Sequence, residues 1–233
     1  MIEGMNERPI TTLFMLVSAD GKISTGSTDE RDFDKDLPSI KGVGEGLQQY
    51  YDLEKQTDYY SFNTGRVMAK VGWNDEKEDI TQIDVIFVLV DNKPHLTERG
   101  IKNLLRFVKK LYIVTTNKEH PAIAMQNDSL EVVRYEAAVD LPDLFCKLKS
   151  FGAQRVTIQS GGEMNAELMR GGLIDFVSLV VAPVMVGGRD TSSLLDGTSL
   201  KTDDDLKLIR PLELTDVDKL SDSYLHLKYK VTK

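Results

Sequence analysis

The 233-residue sequence has one cysteine, three histidines and no long apolar run, and each shortage excludes a class of protein. The single cysteine, Cys146, cannot form an internal disulfide, so the fold does not rest on a disulfide framework. Cys146 falls in a segment with a helical pattern, where we expect a small buried hydrophobic residue rather than a nucleophile. The histidines at positions 95, 120 and 226 lack metal-ligand spacing, so we predict no metal site. No apolar stretch reaches the roughly 18 residues that cross a bilayer, so no membrane-spanning segment is predicted.

The sequence also lacks an excess of basic residues, with 29 Lys and Arg against 37 Asp and Glu and a formal charge of −8. This balance argues against nucleic-acid binding, which requires a basic surface, and against docking on an anionic membrane. A small anionic ligand in a local basic pocket is still allowed. The polar, acid-containing start, MIEGMNERP, is not typical of a signal or transit peptide. We therefore expect a cytoplasmic protein with a small-molecule partner.

Short apolar segments alternate with amphipathic ones along most of the chain. We predict strands at Ile10–Ser18, Tyr59–Asn63, Ile83–Val90, Leu111–Thr115, Glu131–Tyr135, Val156–Gln159, Phe176–Ala182, Leu206–Leu214 and Tyr224–Val231. We predict helices at Gly44–Lys55, Gly100–Lys109, Leu141–Phe151 and Glu163–Arg170.

The alternation predicts an α/β fold with three layers, α-β-α, around a mixed, mostly parallel sheet. The last two strands have no helix between them and are expected to be antiparallel strands at one edge. Polar loops are expected at Ser24–Asp36 and Asp196–Asp205. No linker or repeat interrupts the pattern, so we expect residues 1–233 to form a single domain.

Ligands of parallel sheets bind beyond the carboxyl ends of the strands. Several turns of the sequence follow predicted strands and are expected to share one rim: Asp20-Gly21, Thr64-Gly65, Asp91-Asn92, Thr115-Thr116 and Ser160-Gly161-Gly162.

The stretch Ser160-Gly161-Gly162 joins a predicted strand to a predicted helix. Such a turn presents free backbone N–H groups and the positive end of a helix dipole, which together suit a phosphate. A tight turn that serves packing alone explains the two glycines equally well. The stretch matches neither GxGxxG nor GxxxxGK[ST]. Asn165 is either a helix cap or a ligand contact.

Other polar residues at strand ends also have two interpretations. Asp20 is either a turn residue or a catalytic acid. Arg66 suits a phosphate through its planar guanidinium, but an ordinary surface arginine is the more frequent outcome. Lys93 and Lys118 either bind an anion or are ordinary solvated side chains. Because the sequence shows no Ser-His-Asp signature, no GxSxG elbow and no metal cluster, cofactor chemistry is favoured over hydrolysis.

Four short motifs in order resemble a known family over roughly residues 8 to 230. They are Ser18-Ala19-Asp20-Gly21-Lys22-Ile23, Ser160-Gly161-Gly162-Glu163-Met164-Asn165, Leu173-Ile174-Asp175 and Pro183-Val184-Met185-Val186-Gly187-Gly188. Their sequence is similar to the reductase domain of riboflavin biosynthesis, the RibD C-terminal domain, which has a dihydrofolate-reductase-like fold.

The resemblance implies an NADPH-dependent homodimeric reductase that transfers a hydride to the ribose C1′ of a ribosylaminopyrimidine phosphate. It assigns cofactor binding to Ala19, Thr64, Gly65, Arg66, Asn92, Lys93, Ser160, Gly161, Gly162, Glu163, Met164 and Asn165. Of these, Gly161 to Asn165 would hold the diphosphate, and Asn92 and Lys93 would lie near the adenosine. It assigns substrate binding to Ser18 and Asp20, with Asp20 as the catalytic residue.

The sequence departs from the family pattern at three places. Phe14 stands where the bacterial bifunctional members carry lysine, and Ser160 stands where they carry glutamate. Asp52-Leu53-Glu54-Lys55 replaces a basic patch, and the zinc-binding deaminase portion is missing. Because these changes alter the substrate side, a reductase of another heterocycle, such as a pterin, is also compatible with the sequence. So are a nucleotide-binding protein without turnover and an interaction module.

Overall fold

The computed structural model of the protein describes residues 7–232, so most of the polar N-terminal segment lies outside the described residues. The strands are β1 (Ile10–Ser18), β2 (Tyr60–Thr64), β3 (Ile83–Val90), β4 (Val108–Thr115), β5 (Leu130–Arg134), β6 (Arg155–Ile158), β7 (Phe176–Ala182), β8 (Leu212–Lys219) and β9 (Leu225–Val231). The helices are α1 (Phe33–Asp36), α2 (Gln48–Glu54), α3 (Gly65–Lys70), α4 (Glu98–Phe107), α5 (Leu141–Ser150) and α6 (Gly162–Arg170). None of the helices in this part of the chain has the length and apolar character needed to cross a membrane.

The chain divides into two compact units. Of the described residues, the first unit comprises residues 7–9 and Asp58–Ser160, and the second comprises Ile10–Thr57 and residues 161–232. The expectation of a single domain stays a prediction.

In the first unit, five parallel strands pair in the order β5-β4-β3-β2-β6. Neighbouring residues of β3 face opposite sides of this sheet, and Val88 and Leu89 are both fully buried. On one side α5 packs on β2 through Phe145 and Phe62, whose ring centroids are 5.5 Å apart. On the other side Ile101 of α4 joins Leu89 in one core cluster. Helices on both sides explain why the strands are almost continuously apolar.

In the second unit, four strands pair in the order β1-β7-β9-β8. The β1–β7 pair is parallel, whereas β9 pairs antiparallel with both β7 and β8. The predicted fold class is therefore confirmed: the strands pair mostly in parallel, the C-terminal strands are antiparallel, and helices flank them. The core of this unit contains Phe14, Leu16, Phe33, Leu37, Val43, Leu47, Val180, Ala182 and Tyr224.

Prediction of individual elements was wrong in the region before β9. The strand expected at Leu206–Leu214 is instead a 3-10 turn at Asp204–Leu208 followed by β8 at Leu212–Lys219. Pro211 immediately precedes β8, and proline cannot donate to a strand ladder, so pairing begins only after it. The apolar residues before Pro211 caused the incorrect strand prediction, because they are exposed turn residues in the structure.

Three further differences concern helices. Helix α3 was not predicted, although Thr64 caps it by accepting a hydrogen bond from the backbone N–H of Val67. Helix α1 lies inside the expected loop Ser24–Asp36. The predicted Gly44–Lys55 helix starts as a 3-10 turn and is α-helical only over α2.

Cys146 is exposed, so the expectation that it is a buried hydrophobic residue was wrong. The buried positions of α5 are Leu141, Leu144, Phe145 and Leu148. This spacing of three and four residues defines one helix face, and Cys146 falls outside it.

One side of the second unit's sheet is apolar out to its edge strand. Leu212 and Leu214 pair with Val231 and Tyr229, and after a register shift Val217 pairs with Leu227. The shift adds one unpaired residue, so side chains on either side of it share a face. Leu212, Leu214 and Val217 are 44%, 53% and 54% exposed. Every residue of β8 is exposed, so this apolar surface is uncovered in the described chain.

Phe14 lies inside the core of the second unit. It is 3% exposed, and its ring stacks on Tyr50 with centroids 5.2 Å apart and an interplanar angle of 7°. A lysine ammonium at this position would be desolvated within an apolar cluster, which is strongly unfavourable without a partner.

We predict that Phe14→Lys, which introduces the residue of the bacterial bifunctional members, lowers the free energy of unfolding by about 3 kcal/mol or more. The matched control Phe14→Leu keeps an apolar side chain and should cost about 1 kcal/mol. Denaturant unfolding measures both values. Equal stability of the two variants would show that a cation is accommodated at this position.

Candidate functional site

The loop after β1 is built around the carboxylate of Asp20 in the second unit. The Ser18 hydroxyl donates to this carboxylate at 2.6 Å. The backbone N–H groups of Val186 and Gly187 donate to it at 3.1 and 2.7 Å. The carboxylate therefore connects the end of β1 to the turn that follows β7. Gly21 completes the loop at φ +77°, a conformation that glycine adopts without strain.

The hydrogen bonds from Ser18, Val186 and Gly187 lower the pKa of Asp20 to about 2. Asp20 is therefore an anion at neutral pH and is a poor proton donor there. As an anion it can hold a turn or stabilise a nearby positive charge. Its predicted catalytic role stays a prediction. The neighbouring Ala19 is exposed, and its backbone N–H donates to the Val184 carbonyl at 2.9 Å.

The two glycines at the start of α6 have different surroundings. A side chain on Gly162 would overlap the Ser193 carbonyl oxygen and the Asp196 carboxylate. A side chain on Gly161 would meet no atom within 4 Å. Packing alone therefore explains the glycine at 162, whereas the space beside Gly161 is open to a ligand. The sequence had left these two interpretations open for the pair. Packing accounts for Gly162, and a phosphate site beside Gly161 stays a prediction.

Residues 191–196, which we call the strap, cover the Gly162 side of this helix end. The Asp196 backbone N–H donates to the Gly162 carbonyl at 2.9 Å, and the Asp196 carboxylate accepts from the Ser193 N–H at 3.0 Å. Lys22 donates from Nζ to the Thr191 carbonyl at 2.8 Å. Because a carboxylate already lies on the Gly162 side, an anionic ligand is better placed on the Gly161 side.

Asn165 holds the strap rather than capping the helix. Its Nδ2 donates to the Leu194 carbonyl at 3.0 Å, and the side chain has no exposed surface. The N-cap of α6 is Gly161, which has no side chain to cap with. Glu163 is exposed and Met164 partly exposed in the first turn. The predicted residues 161–165 thus lie together at one helix end.

In the first unit, Asp91 organises the carboxyl end of β3. Its side chain has no exposed surface and accepts four hydrogen bonds. The backbone N–H groups of His95 and Leu96 each donate at 3.1 Å, and the imidazoles of His95 and His120 lie at 3.0 and 3.1 Å. Burial raises the pKa of Asp91, but the hydrogen bonds from His120, His95 and Leu96 outweigh it and hold the pKa below its ordinary value.

Gly65 lies directly against this carboxylate. A Cβ atom at Gly65 would overlap the carboxyl group of Asp91, so only glycine allows α3 to start there. Thr64 caps α3, and Arg66 follows it with an exposed side chain. The turn at residues 64–66 and the loop after β3 are therefore in contact through Asp91.

The remaining predicted residues of the first unit lie at the same end of its parallel strands. Asn92 is exposed, and its Oδ1 accepts from the Thr116 N–H at 3.0 Å. Lys93 and Lys118 are exposed. Ser160 follows β6 and is 1% exposed, so its hydroxyl is not presented at the surface.

Asp91, His95 and His120 were not predicted from the sequence as a cluster. The one available signal was that Asp91 directly follows β3, whose sequence is almost continuously apolar. The partners at 95 and 120 come together only because β3 and β4 are neighbours in the sheet. Within residues 7–232, no group of three or more His, Cys, Asp or Glu side chains is arranged to hold a metal ion.

A second constellation that was not predicted is Ser178, His226 and Asp218. The Ser178 hydroxyl lies 2.7 Å from Nε2 of His226, and the other imidazole nitrogen lies 3.9 Å from an Asp218 oxygen. Burial lowers the pKa of His226, so the imidazole is neutral at neutral pH. However, Ser178 lies within β7, which pairs with a strand on each side. The backbone N–H groups of β7 donate to the neighbouring strands and are not available to stabilise an oxyanion. The geometry therefore does not support nucleophilic catalysis.

Known proteins match nearly the whole chain. The model of the RibD C-terminal domain family matches residues 9–225. The 2,5-diamino-6-ribosylamino-4(3H)-pyrimidinone 5′-phosphate reductase of Methanothermobacter thermautotrophicus is 26% identical over 200 residues, which cover 83% of this chain and 86% of that protein. The reductase of the same name from Archaeoglobus fulgidus is 31% identical over 64 residues, 28% of this chain and 29% of that protein.

Solved structures show the same fold. Acinetobacter baumannii RibD superposes with a TM-score of 0.66 at 16% identity over 97% of this chain, which spans 59% of that protein's length. The riboflavin biosynthesis reductase Rib7 of Saccharomyces cerevisiae superposes with a TM-score of 0.63 at 14% identity, covering 97% of this chain and 91% of that one. At these identities the likeness establishes the fold.

The surroundings of the two glycines predict different effects of an added methyl group. Gly162→Ala should lower the free energy of unfolding by about 1–3 kcal/mol, because the strap must move away from the new side chain. Gly161→Ala should leave stability unchanged or raise it by up to about 1 kcal/mol, because its backbone is compatible with alanine. Thermal unfolding of both variants measures the difference. Equal midpoints would mean that the strap does not pack on Gly162.

Proposed function

The chain belongs to the RibD C-terminal domain family, and from this premise we propose that it is an NADPH-dependent reductase of a pyrimidine ribosylamine phosphate. The proposed substrate is the one in the names of two relatives, 2,5-diamino-6-ribosylamino-4(3H)-pyrimidinone 5′-phosphate. NADPH supplies a hydride to the ribose C1′ in this reaction. The protein's part is to bind both molecules and to stabilise charge. An acidic cytoplasmic enzyme without a nucleic-acid partner fits the net charge of −8.

The observation that supports cofactor binding best is the open space beside Gly161. The first-turn N–H groups of α6 need partners, and a diphosphate supplies acceptors at the positive end of the helix dipole. The missing side chain at 161 lets a ligand approach the backbone closely. We assign Gly161, Glu163 and Met164 to the diphosphate, and we assign Gly162 and Asn165, which contact the strap, to the support of this turn.

The first unit offers further donors for the cofactor. Thr64, Gly65 and Arg66 form the capped start of α3. Within the described part of the chain, Lys93 has no ion-pair partner, and Asn92 leaves its Nδ2 without an acceptor. We assign Thr64 to Arg66 to cofactor binding and Asn92 and Lys93 to its adenosine end. Ser160, which is buried, is assigned a supporting role next to Gly161.

Asp20 is proposed to act as an anion on the substrate. A hydride can reach C1′ once the ribosylamine opens to an imine, and protonated imines accept hydride more readily. The carboxylate of Asp20, held ionised by its three donors, suits the stabilisation of that positive charge. Ser18 orients Asp20 through their 2.6 Å hydrogen bond, and Ala19 borders the same loop.

Phe14 favours a second candidate function, a reductase of the same fold with a different heterocyclic substrate. The Phe14–Tyr50 stack occupies a position where the bacterial bifunctional members of the family carry a lysine, so that contribution to binding an anionic substrate is lost. Turnover assays with two substrates distinguish the two reductases and also detect a cofactor-binding protein without turnover.

We also propose that the chain forms a homodimer through the apolar face that includes Leu212, Leu214 and Val217. A two-fold interface places the same patch of both copies in contact, and an apolar patch is complementary to itself. The three exposed side chains extend an apolar surface that includes Leu227 and Tyr229. Burial of about 800 Å² per copy is typical of a stable interface.

Titration with NADPH, followed by nicotinamide fluorescence, tests the cofactor. Wild-type protein should bind NADPH, and Gly161→Ala should weaken binding about tenfold or more while remaining as stable as wild type. Because Gly162→Ala also moves the strap, it serves as the comparison for indirect effects. Unchanged affinity in Gly161→Ala would show that the diphosphate lies elsewhere.

NADPH oxidation is then measured with the pyrimidinone ribosylamine phosphate and, separately, with dihydrofolate. Turnover of the first substrate alone is expected. Turnover of dihydrofolate alone would establish the second reductase, and binding without any turnover would leave a nucleotide-binding protein.

Light scattering after size exclusion tests the homodimer. The 26.1 kDa chain should elute with twice its mass, and the double variant Leu214→Glu with Val217→Glu should elute as a monomer. Glu213→Gln, on the opposite face of β8, is the control and should remain dimeric. A monomeric wild type at micromolar concentration would contradict the proposal.

A further inference from the structure

We propose that Met185 forms the apolar surface on which the heterocyclic ring of the substrate lies during hydride transfer. The inference rests on the proposed function, because it takes Asp20 to stabilise the positive charge of the substrate's imine. It adds to that function a contact to the ring itself, and it assigns a planar aminopyrimidine as the class of ligand that this contact recognises.

Met185 has the most exposed large apolar side chain in the described part of the chain. It is 74% exposed, and every other large hydrophobic residue within residues 7–232 is 56% exposed or less. Covering such a side chain with a ligand removes apolar surface from water and stabilises the complex. Methionine is also unbranched and polarisable, so its thioether adapts to the face or the edge of an aromatic ring.

The backbone on both sides of Met185 is anchored. Val184 and Val186 pack against the core of the second unit, and the Val184 carbonyl accepts from the Ala19 N–H at 2.9 Å. The Val186 N–H donates to the Asp20 carboxylate at 3.1 Å. The exposed side chain is therefore held between two fixed residues, so a ligand that covers it has little backbone to order.

Met185 lies next to the carboxylate that is proposed to stabilise the imine. The Val186 nitrogen is bonded to the Met185 carbonyl carbon, so the Met185 Cα lies within about 5.5 Å of the Asp20 oxygen that this nitrogen contacts. In a ribosylaminopyrimidine the imine nitrogen is bonded directly to the pyrimidine ring. A substrate whose imine is held at Asp20 therefore has its ring within reach of the Met185 side chain.

The backbone around Asp20 leaves room for a flat ring. A side chain on Gly21, the next residue, would meet no atom within 4 Å, and the same is true of Gly187, whose N–H donates to Asp20 at 2.7 Å. The Asp20 anion repels a phosphate, and the thioether offers no hydrogen bond to a sugar hydroxyl that loses water. A planar heterocycle that carries positive charge at its exocyclic nitrogen suits both groups.

Steady-state rates of NADPH oxidation test the contact in two variants of similar size. Met185→Gln makes the side chain polar and should raise the KM for the pyrimidinone ribosylamine phosphate about tenfold, whereas Met185→Leu keeps it apolar and should stay within about twofold of wild type. The dissociation constant of NADPH and the thermal unfolding midpoint should be unchanged in both, because the side chain is exposed. Leu206→Gln, at a 56% exposed position outside the proposed site, is the control and should keep the wild-type KM.

Nuclear magnetic resonance of methionine labelled with carbon-13 at its methyl group gives a readout that does not depend on turnover. The Met185 signal is identified by its loss in Met185→Leu. It should shift when the pyrimidinone ribosylamine phosphate is added, because a methyl group against an aromatic ring lies in the ring current. NADPH alone should leave the signal in place.

Two results would overturn the inference while the proposed function stands. The first is a wild-type KM in Met185→Gln. The second is a Met185 signal that moves with NADPH alone, because the residue would then contact the cofactor and not the substrate. Wild-type protein that oxidises NADPH with neither heterocycle would overturn the proposed reductase, and the resonance titration would still decide whether Met185 contacts the pyrimidine.

Discussion

The carboxylate of Asp91 is a negative charge with no exposed surface, and four hydrogen-bond donors stabilise it there. Burying an ionised carboxylate without such partners is strongly unfavourable, so the loop after β3 and the two imidazoles are fixed together with the charge. Gly65 packs against the same group, and therefore the start of α3 is fixed as well. The arrangement of the first unit's strand ends depends on this one satisfied carboxylate. Asp20 has the corresponding place in the second unit, where its hydrogen bonds join the loop after β1 to the turn after β7.

Much of the fold could be predicted from sequence, because strands buried on both sides of a sheet are almost continuously apolar. β3 and β7 have the predicted bounds, and the alternation of strands and helices gave the mostly parallel arrangement. The pattern was wrong where apolar residues are not buried, as in the turn at Asp204–Leu208. It also missed α3, whose six residues are too few for a helical period to stand out. Local hydrophobicity predicts which residues are buried. Where apolar residues are exposed, it therefore predicts the wrong secondary structure.

The candidate site was predictable in outline but not in its contacts. Glycines and polar residues after strands mark the turns, because those positions need unusual backbone freedom or local hydrogen bonds. The separate roles of Gly161 and Gly162 depend on the strap, about thirty residues later in the chain, and no local pattern contains that information. The same holds for Asn165, whose partner is the Leu194 carbonyl rather than a helix end. Long-range contacts of this kind decide which member of a motif has open space beside it.

The register shift in β8 makes the distribution of its side chains depend on a single residue. Strand faces follow the parity of residue number, and the extra residue between Leu214 and Asp216 inverts that parity halfway along the strand. Deletion of Thr215 with the rest of the pairing retained would therefore restore uniform alternation without changing any other side chain. The register on each side of the shift places Leu214 with Tyr229 and Val217 with Leu227, and this apolar arrangement persists only while both registers are kept. β8 should therefore accept many substitutions more readily than an insertion or deletion that changes the register with β9.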